Sequence, residues 1–152
     1  MTELYPWIIG VGNVLRGDDG AAAAVVSQLR DAEIPAYNFD GDGAELMEMW
    51  AGQNKVIVID AASSGAPAGT VHRFDVRQEQ LPRHFFRYSS HQFGVAEAVE
   101  MARTLGQLPA QMIVYGVEGA DFSLGAPLSP DVQITIGNVV DSIKNDIGYS
   151  DA

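Results

Sequence analysis

The chain contains no cysteine, which removes disulfides, thiolate zinc sites, iron–sulfur ligation and a cysteine nucleophile in one step. Any metal it binds must be held by carboxylate and imidazole. Basic residues are also scarce: 9 Lys and Arg stand against 20 Asp and Glu, for a formal net charge of −11. Nucleic acid and anionic membranes both require phosphate-neutralising cations, so neither is expected as a partner. A polypeptide or a cation suits the chain better. No apolar run reaches the ~18 to 20 residues needed to cross a bilayer. The opening Met1-Thr2-Glu3-Leu4-Tyr5-Pro6 lacks the basic segment and apolar core of a signal peptide. No membrane insertion and a cytoplasmic location are therefore expected. Internal repeats, linkers and low-complexity tracts are missing too, and the 152 residues read as one domain spanning 1–152.

What the chain does have is concentrated in Ile8-Ile9-Gly10-Val11-Gly12-Asn13-Val14-Leu15-Arg16-Gly17-Asp18-Asp19-Gly20, an apolar strand running into a glycine-punctuated turn that ends in two carboxylates. Ala22, Val25, Val26 and Leu29 then recur at helical spacing, placing Asp18 and Asp19 at or near a helix N-cap. Such turns usually suggest phosphate binding at freed backbone N–H groups. The dinucleotide fingerprint fails because the glycine after Gly10 and Gly12 is Gly17. Gly12 to Gly17 matches the spacing of a Walker A loop, but Asp18 and Asp19 stand where Lys and Ser or Thr belong. Two carboxylates there repel phosphate and attract a cation. A helix cap accounts for one of the acids, not both.

The remaining pattern alternates strand and helix. Extended segments are expected at 7–12, 36–40, 56–60 and 111–117, with helices from 22 to 31, from 44 to 51, opening at Ser89-Ser90-His91-Gln92, and from Ser129-Pro130-Asp131 until Gly148. Ser89 and Gln92 have capping-box spacing, which puts His91 in a first helical turn. The nine residues 61–69 are too few for a helical crossover, so 70–76 is expected to pair antiparallel at an edge. The fold class is α/β: a three-layer α/β/α sandwich with a mixed, mostly parallel twisted sheet of about five strands and helices on both faces.

In open α/β sheets, ligands gather outside the carboxyl ends of the strands. Those ends carry Asp18 and Asp19, then Asp40, Asp60 and Glu118, and His91 opens the helix after the edge strand. Crowded carboxylates repel one another, and a divalent cation relieves that repulsion. One histidine with two carboxylates suits a first-row transition metal better than calcium or magnesium, without choosing among zinc, nickel and iron. His72, inside the edge strand, and His84, in a loop, are read as structural or solvated. Serine catalysis is not supported: there is no G-x-S-x-G elbow, and nothing ties Ser63 or Ser64 to a base.

These segments resemble the hydrogenase maturation endopeptidases, which trim the C-terminal extension from the large subunit of nickel–iron hydrogenases. The resemblance covers nearly the whole chain. It rests on 10–20, on Val56-Ile57-Val58-Ile59-Asp60-Ala61, on Ser89-Ser90-His91-Gln92-Phe93-Gly94 and on Gly116-Val117-Glu118. It implies that Asp19, Asp60 and His91 contact the metal and carry catalysis, and that this metal is nickel already installed in the precursor of the large subunit. Cleavage would then report on metal loading. The family's usual Asp-Gly-Gly-Thr-like turn is replaced here by Asp40-Gly41-Asp42-Gly43. Asp40 is read as a substrate contact, along with Asp18 and Glu118. Phe85, Phe86 and Tyr88 form either an apolar wall for the substrate tail or packing against the sheet. Two other functions compete: a non-enzymatic nickel carrier or assembly factor using the same ligands, and a nucleotide-binding Rossmann-like enzyme.

Overall fold

A computed structural model of the chain describes residues 5–82, 85–86 and 93–149. Five strands form one sheet: β1 (Trp7–Val11), β2 (Tyr37–Phe39), β3 (Lys55–Ala62), β4 (Val71–Asp75) and β5 (Gln111–Glu118), in the order β2-β1-β3-β5-β4. All neighbouring pairs are parallel except β4 with β5, which is antiparallel at the edge, as the short 63–70 connection requires. The helices are α1 (Ala21–Asp31), α2 (Gly43–Trp50), α3 (Val95–Thr104) and α4 (Pro130–Asp146).

Side chains alternate across each strand, and the two faces bury different partners. Ile8, Ile57, Ile59, Tyr115 and Val117 pack with α1 and α4. Ile9, Val56, Val58, Met112 and Val114 pack with α2 and α3. This covering on both faces explains why the central strands read as unbroken apolar runs. A Cβ at Gly10 would fall 2.7 Å from a Val26 methyl carbon, so glycine is what lets α1 lie close against β1.

Several boundaries differ from those read in the sequence. β3 runs two residues past Asp60, to Ala62, because Asp60 keeps its place opposite Gly116 of β5. Asp18 and Asp19 do not cap α1. They lie in a 3-10 turn over Gly17–Gly20, and Gly20 is the N-cap without any side-chain bond. The helix opening expected at Ser89 to Gln92 lies outside the described residues; α3 starts at Val95, where the Glu97 carboxylate accepts the Gly94 N–H at 2.8 Å. Among the described residues, no helix is long and apolar enough to cross a membrane.

Candidate active site

Four parallel strands bring their carboxyl ends to one edge of the sheet. The strand order changes direction between β1 and β3: the chain leaves β1 for β2 on one side and returns to β3 on the other. Such switch points open a crevice above the sheet. Asp19, just after β1, and Asp60, in β3, are the carboxylates at that crevice.

Both are buried, Asp19 at 5% and Asp60 at 7% exposure. The Asn13 backbone N–H donates to Asp19 Oδ2 at 2.7 Å, and the Ala61 N–H donates to Asp60 Oδ1 at 2.8 Å. Burial pushes the Asp60 carboxyl well above the usual carboxylate range, the negative charge of Asp19 pushes it further, and the Ala61 N–H offsets part of this. The two acids are therefore close enough to oppose each other's ionisation. The close backbone here depends on Gly12 (φ +150°), where a Cβ would sit 2.1 Å from the Asp19 carbonyl oxygen.

Asp18 faces the other way. Its side chain is fully buried and accepts four bonds: the N–H groups of Ala120 (2.7 Å), Asp121 (3.0 Å) and Ser129 (2.7 Å), and the Ser129 hydroxyl (2.7 Å). Burial alone would raise its pKa, but the four donors prevail and hold it below the usual range. Asp18, expected from sequence to contact substrate, ties the 120–129 loop to the acidic turn. Ser129 is still the positional N-cap of α4, with Pro130 following, but its hydroxyl serves Asp18 and makes no cap bond.

Glu118 is likewise turned into the fold. At 1% exposure it accepts the Ser64 N–H at 2.7 Å and the Ser64 hydroxyl at 2.6 Å, and His72 Nε2 lies 3.1 Å from its Oε1. Ser64 and His72 are thus the partners that sequence reasoning left without a task. The available signal was the antiparallel register, which puts His72 opposite Gly116, two residues before Glu118. Phe85 packs edge-on against His72 and Phe74, and a Cβ at Gly116 would lie 2.6 Å from its ring. Of the two readings of the aromatic segment, packing against the sheet holds for Phe85. Tyr88 lies outside the described residues.

Asp40 is exposed just beyond the edge strand β2. The additional acid, Asp42, has a local purpose: it is the N-cap of α2 and accepts the Glu45 N–H at 3.1 Å. His91 and His84 lie outside the described residues. Among the described residues, no group of three or more His, Asp or Glu side chains is arranged to hold a metal ion. The described carboxylate pair nonetheless fits a cation: two oxygen donors, oriented by backbone N–H groups, whose joint ionisation is opposed until positive charge arrives.

Comparison with known proteins gives a consistent picture. The family model described as hydrogenase maturation protease, HycI, matches residues 39–146. The hydrogenase expression/formation protein HupD of Thiocapsa roseopersicina is 28% identical over 134 residues, covering 83% of this chain and 60% of that protein. The hydrogenase 2 maturation protease of Escherichia coli is 29% identical over 143 residues, covering 90% and 86%. The chain thus spans less than two thirds of the first relative and most of the second. Among solved structures, the hydrogenase maturating endopeptidase HybD from Escherichia coli superposes with a TM-score of 0.77 at 21% identity, covering 95% of this chain and 93% of that one. The nickel–iron hydrogenase maturation protease HybD from Thermococcus kodakarensis gives 0.72 at 20% identity, covering 95% and 99%. At these identities the structures speak for the fold.

Proposed function

The chain belongs to the hydrogenase maturation protease family, hydrolases that act on a peptide bond, and from this premise we propose that it removes the C-terminal extension of a nickel–iron hydrogenase large-subunit precursor once nickel has been inserted. The observation that carries the proposal is the buried, mutually repelling pair Asp19 and Asp60 at the switch point. The nickel is the substrate's cargo. In this reading Asp19, Asp60 and His91 complete its coordination, so that only a loaded precursor meets the full ligand set.

A divalent ion held by these residues would supply Lewis-acid polarisation of the carbonyl of the bond to be cut. The chain's own residues do the rest. The N–H groups of Asn13 and Ala61 fix one oxygen of each carboxylate. Burial of both acids strengthens their hold on a cation, because the effective dielectric is lower than in water. In this reading Asp40, exposed at the rim, contacts the arriving polypeptide. A net charge of −11 leaves a nucleic acid little to pair with. A cysteine-free chain needs no oxidising compartment, which suits a cytoplasmic reaction.

The test is mass spectrometry of purified nickel-loaded precursor incubated with the protein. Cleavage at one position by the natural chain, and none by Asp19→Asn or His91→Ala, is the expected result. A precursor left intact by the natural chain, while another processing protease cuts it, contradicts the proposal.

A further inference from the structure

Eight large apolar side chains are exposed among the described residues, and three of them, Val14 (63%), Leu15 (63%) and Leu124 (68%), belong to the two loops beside the carboxylate pair. Turn residues with no core to fill are ordinarily polar, so folding does not account for them. We propose that Val14, Leu15 and Leu124 form a docking surface for an apolar stretch of the precursor polypeptide next to the bond to be cut. The inference rests on the reading given under Proposed function and adds the recognition surface.

The two loops are built as one rigid platform. The Gly125 N–H donates to the Leu15 carbonyl at 2.7 Å, and the Asp18 N–H donates to the Asp121 carbonyl at 2.9 Å. The Asp18 carboxylate adds its four bonds from the 120–129 loop. At Gly17 (φ +51°) a Cβ would lie 2.2 Å from the Asp121 carbonyl oxygen, so glycine is what lets the loops touch. A surface already shaped for its partner loses little conformational entropy on binding.

Asn13 links the platform to the chemistry. Its N–H holds Asp19 Oδ2 at 2.7 Å, while its side-chain oxygen accepts the Leu15 N–H at 2.9 Å. One residue therefore orients both a proposed nickel ligand and the apolar side chain two positions on, about 7 Å along the backbone. Asp19 and Leu15 are thus both tied to Asn13, which keeps the apolar turn beside the carboxylate. The chemistry of the surface selects apolar side chains: an acidic segment would meet the rim acids, and a basic one would pair with them and not with Leu15.

The test measures binding of the nickel-loaded precursor to immobilised protein by interferometry, with cleavage followed in parallel. The variants are the triple Val14→Ser, Leu15→Ser, Leu124→Ser and the control Ile134→Ser, which removes an equally exposed apolar group on α4 (76%). The triple variant is expected to raise Kd about tenfold or more, as loss of an interface centre does, while the control stays within about twofold. Equal affinity of the triple variant and the natural chain, or an equal loss in the control, overturns the docking surface. So does a natural chain that sediments as a dimer through these loops and becomes monomeric in the triple variant. Binding without cleavage by the natural chain contradicts the proposed function and leaves the docking surface to stand or fall on the Kd values.

Discussion

The Asp18 carboxylate accepts the Ser129 backbone N–H at 2.7 Å across 111 residues of chain. This bond and its three companions fasten the acidic turn after β1 to the loop that leads into α4. Fixing that loop also fixes the frame around Asp19.

Replacing Asp18 with Asn presents an amide to donors that need an acceptor. Unfolding by urea at about pH 7 is expected to show a loss of about 2–4 kcal/mol. The folded pKa lies below the usual value of 3.8. Stability supplied by this carboxylate is therefore fully present above 3.8 and disappears as pH falls through the lower folded value. The gap between the natural chain and Asp18→Asn should narrow as pH falls from 3.8 through the lower folded value; a gap that stays constant as pH falls contradicts this role.

Asp60→Asn is expected to act in opposite directions on stability and activity. The folded pKa of Asp60 is raised by burial first and by Asp19 second. Its ionisation therefore costs stability as pH rises from the unfolded value toward the folded one. The amide keeps an oxygen for the Ala61 N–H and removes the repulsion. The metal-free variant should be more stable than the natural chain by about 1 kcal/mol or more at neutral pH, with a smaller gain near pH 4, and it should not process precursor. Thermal melts across that range check it; a variant less stable at neutral pH would show that the pair is not strained.

Tyr115, packed on the α1 and α4 face of β5, offers a control. Its hydroxyl donates to Asp146 and lies 2.7 Å from the Ser142 hydroxyl. Burial and the Asp146 carboxylate push its pKa up to about 12. Tyr115→Phe leaves Asp146 its bond from Arg73, at 2.7 Å, and should lower stability by about 1–2 kcal/mol. The processing rate, measured well below the melting temperature, should not change; a matching loss of activity would mean that this network reaches the carboxylate edge.

The periodicity of 7–12, 56–60 and 111–117 made the layered α/β fold readable, because strands covered on both faces must be apolar throughout. The nine-residue connection made the antiparallel edge readable as well. The orientation of individual acids was not readable. Asp18 and Asp19 are adjacent and chemically identical, yet one is drawn to Ser129 and the other to Asn13. Those partners are set by tertiary contacts more than 100 residues away in one case and by a six-residue turn in the other. Glu118 illustrates the same limit: its position at a strand end was legible, but Ser64 and His72 reach it only once β4 has paired with β5.

The most direct test of the account is processing of one precursor preparation split into nickel-loaded and nickel-free halves. Each half is incubated with equal amounts of the natural chain and followed by mass spectrometry. The account predicts loss of the C-terminal extension in the loaded half alone, with processing restored when nickel is inserted into the other half. Equal cleavage of both halves would contradict it, because the carboxylate pair would then be acting without the metal it is proposed to recognise.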